Sequence, residues 1–456
     1  MLLSRVLGFA RMTGGRLDGG EGGGDPDLRW RFTPSAEERF VASLDSTGDV
    51  VPPPAAAAEP LVAASGDWTD FRGPNRDATV HGLQLETDWT AHPPKLLWER
   101  PVGPAWSSMV VVGNRLFTQE QRGTIETVSC FDADTGEEVW IHTHPDRFEE
   151  ALGGVGPRAT PTFAEGRIYA LSPKGRLQAF HAADGAQIWS RNIAEDSGAK
   201  VPTWGFSGSP LVAEGRVFVY TGDEGKNTQK QLMAYDAETG DPLWNAPAGS
   251  IGYSSPQLLT RGGNTRLLML GDKELTAFDP ATGEVVWQHA SAESMGRPTL
   301  QPRMVSENRV LVSFSPDPGI WLVELSGERA DTKSNVLWAS RGIKPDFSDF
   351  VHHEQTVYGF DGAIFCALNL EDGKRRWKAG RYGAGQVLLL ADQPLLLVIT
   401  EQGEVVLVAA DPEEHRELAK LPAVSGKTWN HPALVGNRLF VRSSEQMACF
   451  ELPLKP

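Results

Sequence analysis

Ser129–Trp140 reads SCFDADTGEEVW, and the chain repeats this segment often enough for its reading to decide the fold. Small and apolar residues alternate before Asp132, the period-2 pattern of a strand with one buried face. Asp132-Ala-Asp-Thr-Gly136 is hairpin-turn chemistry: the Asp side chain caps its own backbone, and Gly takes the positive φ. A second strand then runs to Trp140, whose ring fills the space towards a neighbouring unit.

The segment recurs as QAFHAADGAQIW ending at Trp189, MAYDAETGDPLW at Trp244, TAFDPATGEVVW at Trp287 and CALNLEDGKRRW at Trp377. One copy is stretched, from WLVELSG at Trp321 to VLW at Trp338. Another, VLVAADPEEHREL, carries Leu418 in place of Trp, and the last, MACFELP, stops near the C-terminus. The tryptophans that end the repeats, from Trp98 to Trp377, lie 42, 49, 55, 43, 51 and 39 residues apart. A period of about 40–50 residues with four strands per unit predicts a propeller. KLLW at Lys95–Trp98 has no inner strands before it, and MACFELP has no outer strand after it. Joining them completes one blade and removes the exposed edges. The expectation is all-β: an eight-bladed β-propeller of four-stranded antiparallel blades over residues 67–456, closed by its N- and C-terminal strands.

Residues 1–66 read differently, as a low-complexity flexible tail or linker. Gly14–Gly24 and Val51–Ala64 bury too little apolar area to offset the entropy of ordering. Leu28–Leu44 between them has the pattern of a short helix capped by Ser35 with Glu38 three residues on. Met1–Ala10 lacks the apolar core and cleavage site of a secretory signal. The alternative is that the tail leads from a membrane anchor upstream of this start.

Composition narrows the function. The 456 residues carry a net charge of −16, against nucleic acid and anionic lipid as partners. Forty-eight Gly and 32 Pro suit turn-rich β structure, and the apolar runs fall short of the ~20 residues of a membrane span. Three cysteines cannot complete a disulfide framework, and Cys130, Cys366 and Cys449 sit at core columns of repeat strands.

The AxDxxTGxxxW repeat resembles that of the PQQ-like repeat β-propeller family, and Asp67–Asp77 (DWTDFRGPNRD) resembles the lead-in of its BamB-like and quinoprotein-alcohol-dehydrogenase-like members. The resemblance covers about residues 67–456 and implies a monomeric cell-envelope or periplasmic protein. It leaves the function split. One branch is a non-catalytic scaffold or binding module whose partner is another envelope protein or a small ligand. The alternatives are a PQQ-dependent alcohol or sugar dehydrogenase and a carbohydrate binder.

In a propeller the innermost strands start beside the central channel. The starts read here supply Trp106, Arg158, Trp204, Tyr253, Asp349, Arg381, Trp429 and His431 as a candidate ligand site at the channel mouth. Aromatic rings with Arg groups suit a flat anion, and Arg158, Trp204, Arg381 and Trp429 are the set that would grip a tricarboxylate quinone. The catalytic apparatus that the resemblance implies, adjacent cysteines and a Ca²⁺ site of Glu, Asn and Asp, is not legible. No catalytic residue or metal ligand is therefore assigned. The Asp132–Gly136 run mimics a calcium loop without its later ligands, and Gly205–Ser209 lacks the last Gly of a nucleophile elbow. His142, His144 and Asp146 are a weak metal pattern that reads better as a solvated strand end.

Overall fold

The computed structural model describes residues 15–17, 28–30, 34–47, 60–222, 229–250, 252–290, 296–314, 319–327 and 331–455. The first blade is the antiparallel sheet Val110–Val112, Arg115–Arg122, Ile125–Asp132 and Glu138–His144, ordered from the axis outward. Six more blades repeat that order, with inner strands Thr162–Ala164, Leu211–Ala213, Gln257–Arg261, Arg303–Ser306, Val351–His353 and Gln386–Leu390. The eighth joins both ends of the propeller: Ala433–Val435, Arg438–Arg442 and Gln446–Glu451 take Lys95–Pro101 as their outer strand. Cys449 lies opposite Trp98 and Glu451 opposite Lys95, so the ring closes as the sequence predicts.

The repeat's Trp and Gly lock one blade to the next. Trp98, Trp140, Trp189 and Trp244 each donate the indole N–H to a carbonyl in the following blade's turn: Ala133, Ala182, Ala237 and Pro280, at 3.0–3.1 Å. Trp338 and Trp377 do the same to Leu370 and Asp411. The degraded copy thus keeps the acceptor although its own Trp has become Leu418. The indole lies flat on the turn glycine. A Cβ on Gly185, which has φ +73, would meet the Trp140 ring at 2.5 Å. Gly185→Ala is therefore expected to cost about 2–4 kcal/mol, from left-handed strain plus overpacking. Gly436 has φ +56 and nothing within 4 Å of its Cβ position, so Gly436→Ala isolates the strain and should cost only about 1–2 kcal/mol. Urea melts of the two variants measure the difference; equal losses would remove the indole contact from the account.

The lead-in Asp67–Val80 is not a surface loop, because it threads the central channel and touches every blade. Trp68 exchanges backbone hydrogen bonds with Val111 at 2.8 and 2.9 Å, and Phe163 N–H donates to Thr69 O. The Arg76 guanidinium donates to the carbonyls of Pro210 (2.8 Å) and Ser209 (3.2 Å). Gln257 donates to Arg76 O, and Arg303 to Asp77 O and Thr79 Oγ1. Arg72 pairs with Asp349, Leu389 N–H donates to Ala78 O, and Trp68 stacks on His431. Thr79–Val80 adds a parallel strand to the seventh blade. Arg72, Arg76 and Ala78 hold φ of +69, +55 and +54. Such backbone persists where surrounding bonds over-determine it.

The helix expected around Leu28–Leu44 begins later, at Ala36–Thr47, while Leu28–Trp30 pairs as a strand with Gly15–Leu17. The Ser35 cap is present: Ser35 Oγ accepts from Glu38 N–H (3.0 Å), and the Glu38 carboxylate accepts from Ser35 N–H. This helix docks on the propeller through Glu37, paired with Arg147 at 2.6 and 3.0 Å, and through buried Phe40 beneath Arg122. The expectations for Met1–Ala10 and most of Gly14–Gly24 fall outside the described residues.

Candidate functional site

Each innermost strand is entered from one face of the ring, and the entries are tied circumferentially. Ser108 N–H donates to Thr160 Oγ1, Thr160 N–H to Ser209 Oγ, and Ser209 N–H to Ser255 Oγ, all at 2.9 Å. Gln386 accepts from Asp349 N–H and donates to Trp429 O, carrying the chain of bonds on to the eighth blade. The Ser, Thr and Gln side chains at these entries thus join blade to blade.

Above this ring lies a cavity of about 180 Å³. Six of the eight sequence-derived residues line it: Trp106, Arg158, Trp204, Tyr253, Trp429 and His431. The aromatic rings stand in two walls. Trp429 lies between Trp106 and Phe347, with centroids 4.5 and 4.6 Å away. Trp204 packs on Tyr253 at 4.9 Å. Phe71 of the threaded segment and His431 meet edge-on at 6.0 Å, and both line the cavity.

Two candidates are placed elsewhere. Arg381 ends the outermost strand Arg375–Arg381 of the sixth blade and is exposed. The outer strand simply runs past Trp377 to Arg381, and the chain crosses to the channel only through Tyr382–Gly385. Asp349 sits beneath the cavity, 1% exposed, paired with Arg72 and 3.3 Å from His431 Nε2. Burial alone would raise the Asp349 carboxyl, but Arg72, His431 and Arg303 outweigh it and hold the group below its ordinary value. The second ring nitrogen of His431 lies 2.9 Å from Pro432 O.

Arg158, the cation in the cavity wall, is committed to protein partners. Its guanidinium binds Glu150 at 3.1 Å and the carbonyls of Gly154 and Gly156. Burial draws it down to about 10 while Glu150 opposes. It thereby pins the segment Glu150–Gly156 (EALGGVG), whose Leu152 and Gly153 also line the cavity. These residues and Phe71 are absent from the sequence-derived site. A glycine-rich run after an outer strand is the one signal for the former. For Phe71 there is none, since a lead-in with five charged residues reads as solvated chain.

The residues present do not fit the quinone and calcium set of the dehydrogenases. Arg158 and Asp349 are engaged, Arg381 is distant, and Cys130, Cys366 and Cys449 are buried thiols in three different blades. Burial raises all three, Cys366 to about 11 and Cys449 to about 12. Among the described residues no group of three His, Cys, Asp or Glu is placed to hold a metal ion. His142 packs on Phe180, and burial lowers the pKa of both His142 and His144. No helix among the described residues is long and apolar enough to cross a membrane.

Known proteins similar to this chain include outer membrane protein assembly factors and quinoprotein dehydrogenases. The outer membrane protein assembly factor BamB of Burkholderia pseudomallei is 24% identical over 371 residues, spanning 76% of this chain and 85% of that protein. The quinoprotein ethanol dehydrogenase of Pseudomonas putida is 25% identical over 56% of this chain and 42% of its own length. The crystal structure of BamB from Moraxella catarrhalis superposes with a TM-score of 0.55 at 15% identity, covering 79% of this chain and all of that one. Quinohemoprotein alcohol dehydrogenase from Comamonas testosteroni gives 0.61 at 14% identity, covering 86% and 82%. These superpositions concern the fold. The profile described as outer membrane protein assembly factor BamB matches residues 87–204 and 124–379. Together with the repeat and the closed eight-bladed ring, that match makes this chain a member of the family of the outer membrane protein assembly factor BamB.

Proposed function

We propose that this protein is a non-catalytic scaffold or binding module of the cell envelope, on the periplasmic side, that engages another envelope protein through its channel mouth. The observation that carries the reading is the state of the channel base. Asp349, the carboxylate of the sequence-derived site, is buried and held by Arg72 and His431, so it is not poised as a base. Family membership and the BamB relatives support the same reading. The dehydrogenase reading has the fold behind it, but among the described residues no group of three His, Cys, Asp or Glu is placed to hold its metal ion.

The test places a photo-crosslinking residue at Arg297 or Glu149 on the mouth face, and at Glu238 in a turn on the opposite face, in the native host. Adducts with an envelope protein are expected from the mouth positions and not from Glu238. Purified protein given PQQ and Ca²⁺ should show no dye-linked oxidation of ethanol or glucose. PQQ-dependent turnover, or adducts from Glu238 alone, would overturn the proposal.

A further inference from the structure

We infer that the mouth cavity is an anchor pocket for a single neutral aromatic or large aliphatic side chain of the partner protein. The inference rests on the scaffold reading and specifies what that site holds.

Three observations select this occupant. The first is size. About 180 Å³ lies below the ~300–1,000 Å³ of sites for drug-sized ligands, and apolar cavities near ~150 Å³ take one benzene ring. The second is that much of the lining's polarity is already engaged by the protein itself. Trp429 Nε1 donates to Glu401 at 3.0 Å, Trp106 Nε1 to Gly153 O, and Ser207 Oγ to Trp204 O at 2.9 Å. Both ends of the Gln386 amide are likewise bonded. A sugar entering here would exchange many hydroxyl–water bonds for few protein ones, which is unfavourable. The walls offer ring faces and edges, which reward an apolar or aromatic group. The third is charge. Arg158 is matched by Glu150, and Asp349 beneath the cavity by Arg72, so the buried charges at its base are compensated, while Asp346, a further carboxylate of the lining, is exposed.

The threaded segment makes the pocket blind. Phe71 lines it, and Trp68–Val80 fills the channel below, so an inserted side chain enters and leaves from the mouth face alone. Buried aromatic anchors surrounded by near-neutral contacts are the usual centres of protein interfaces.

The probe is N-acetylphenylalaninamide, titrated into the purified full chain while tryptophan fluorescence is followed. The expected result is a saturable change at about millimolar probe, the range for a fragment of this size. It should weaken at least tenfold in Ser207→Phe, which fills the cavity, and in Leu152→Trp, which narrows its mouth. Two variants guard against one misfolding, and cooperative melting verifies each. Methyl glucoside and PQQ should give no saturable change. No response to the amide, or a saturable response to the sugar or quinone that Ser207→Phe removes, would overturn the inference. Mouth-face crosslinking that survives Ser207→Phe unchanged would leave the scaffold reading standing and remove the anchor pocket.

Discussion

Deleting Asn437–Pro456 should abolish cooperative unfolding. The deletion removes two strands of the closing blade, Arg438–Arg442 and Gln446–Glu451, and leaves Lys95–Pro101 without its partner. Leu439, Phe440, Val441, Met447 and Phe450 are each 5% exposed or less. At about 1.5–3 kcal/mol per fully buried side chain, their loss alone approaches the 5–15 kcal/mol that holds an ordinary domain. Arg442 goes too. Buried at 1% exposure, it crosses the seam to Thr118 Oγ1 (2.6 Å), Gln119 O (3.0 Å) and Gly103 O (2.9 Å) of the first-blade side. Two open edges would remain, which invite pairing with other chains. Circular dichroism melts and gel filtration measure the result: a broad transition and association are expected. A truncated chain melting like the full one would refute closure through the eighth blade.

Arg72→Met should cost about 3–5 kcal/mol, because it strips the cation from a buried carboxylate. The sign with pH is specific. In the native protein Asp349 lies below its ordinary value, so its contribution is present at neutral pH and fades as pH falls below about 4. Without Arg72, burial dominates and the folded-state carboxyl rises above its unfolded value. That penalty is absent at low pH and grows as pH rises through the shifted value. The deficit of Arg72→Met is therefore largest near pH 7–8 and shrinks towards pH 4. Asp349→Asn in the same chain should recover part of it. Denaturant midpoints at several pH values measure this; a deficit that ignores pH would mean that Arg72 acts only by filling the channel.

What the residues could announce in advance was local. The Asp-x-x-Thr-Gly turn and the Trp four residues after its Gly are short-range chemistry repeated at a fixed period, so blade number, strand order and closure followed. The same regularity placed most strand entries beside the channel, which is why six candidate residues meet in one cavity. Arg381 failed where the rule has no hold, because nothing local says where an outer strand stops.

The channel interior belongs to the folded ring. DWTDFRGPNRD has no apolar period and is rich in charge, so as a string it reads as solvated loop. Its Arg72 and Arg76 become buried because eight blades, drawn from residues hundreds of positions apart, supply Asp349 and backbone carbonyls at the right places. Charge pairing in a closed interior depends on distances of a few ångströms between remote segments. A periodic pattern encodes the blades, and only their closure into a ring sets those distances.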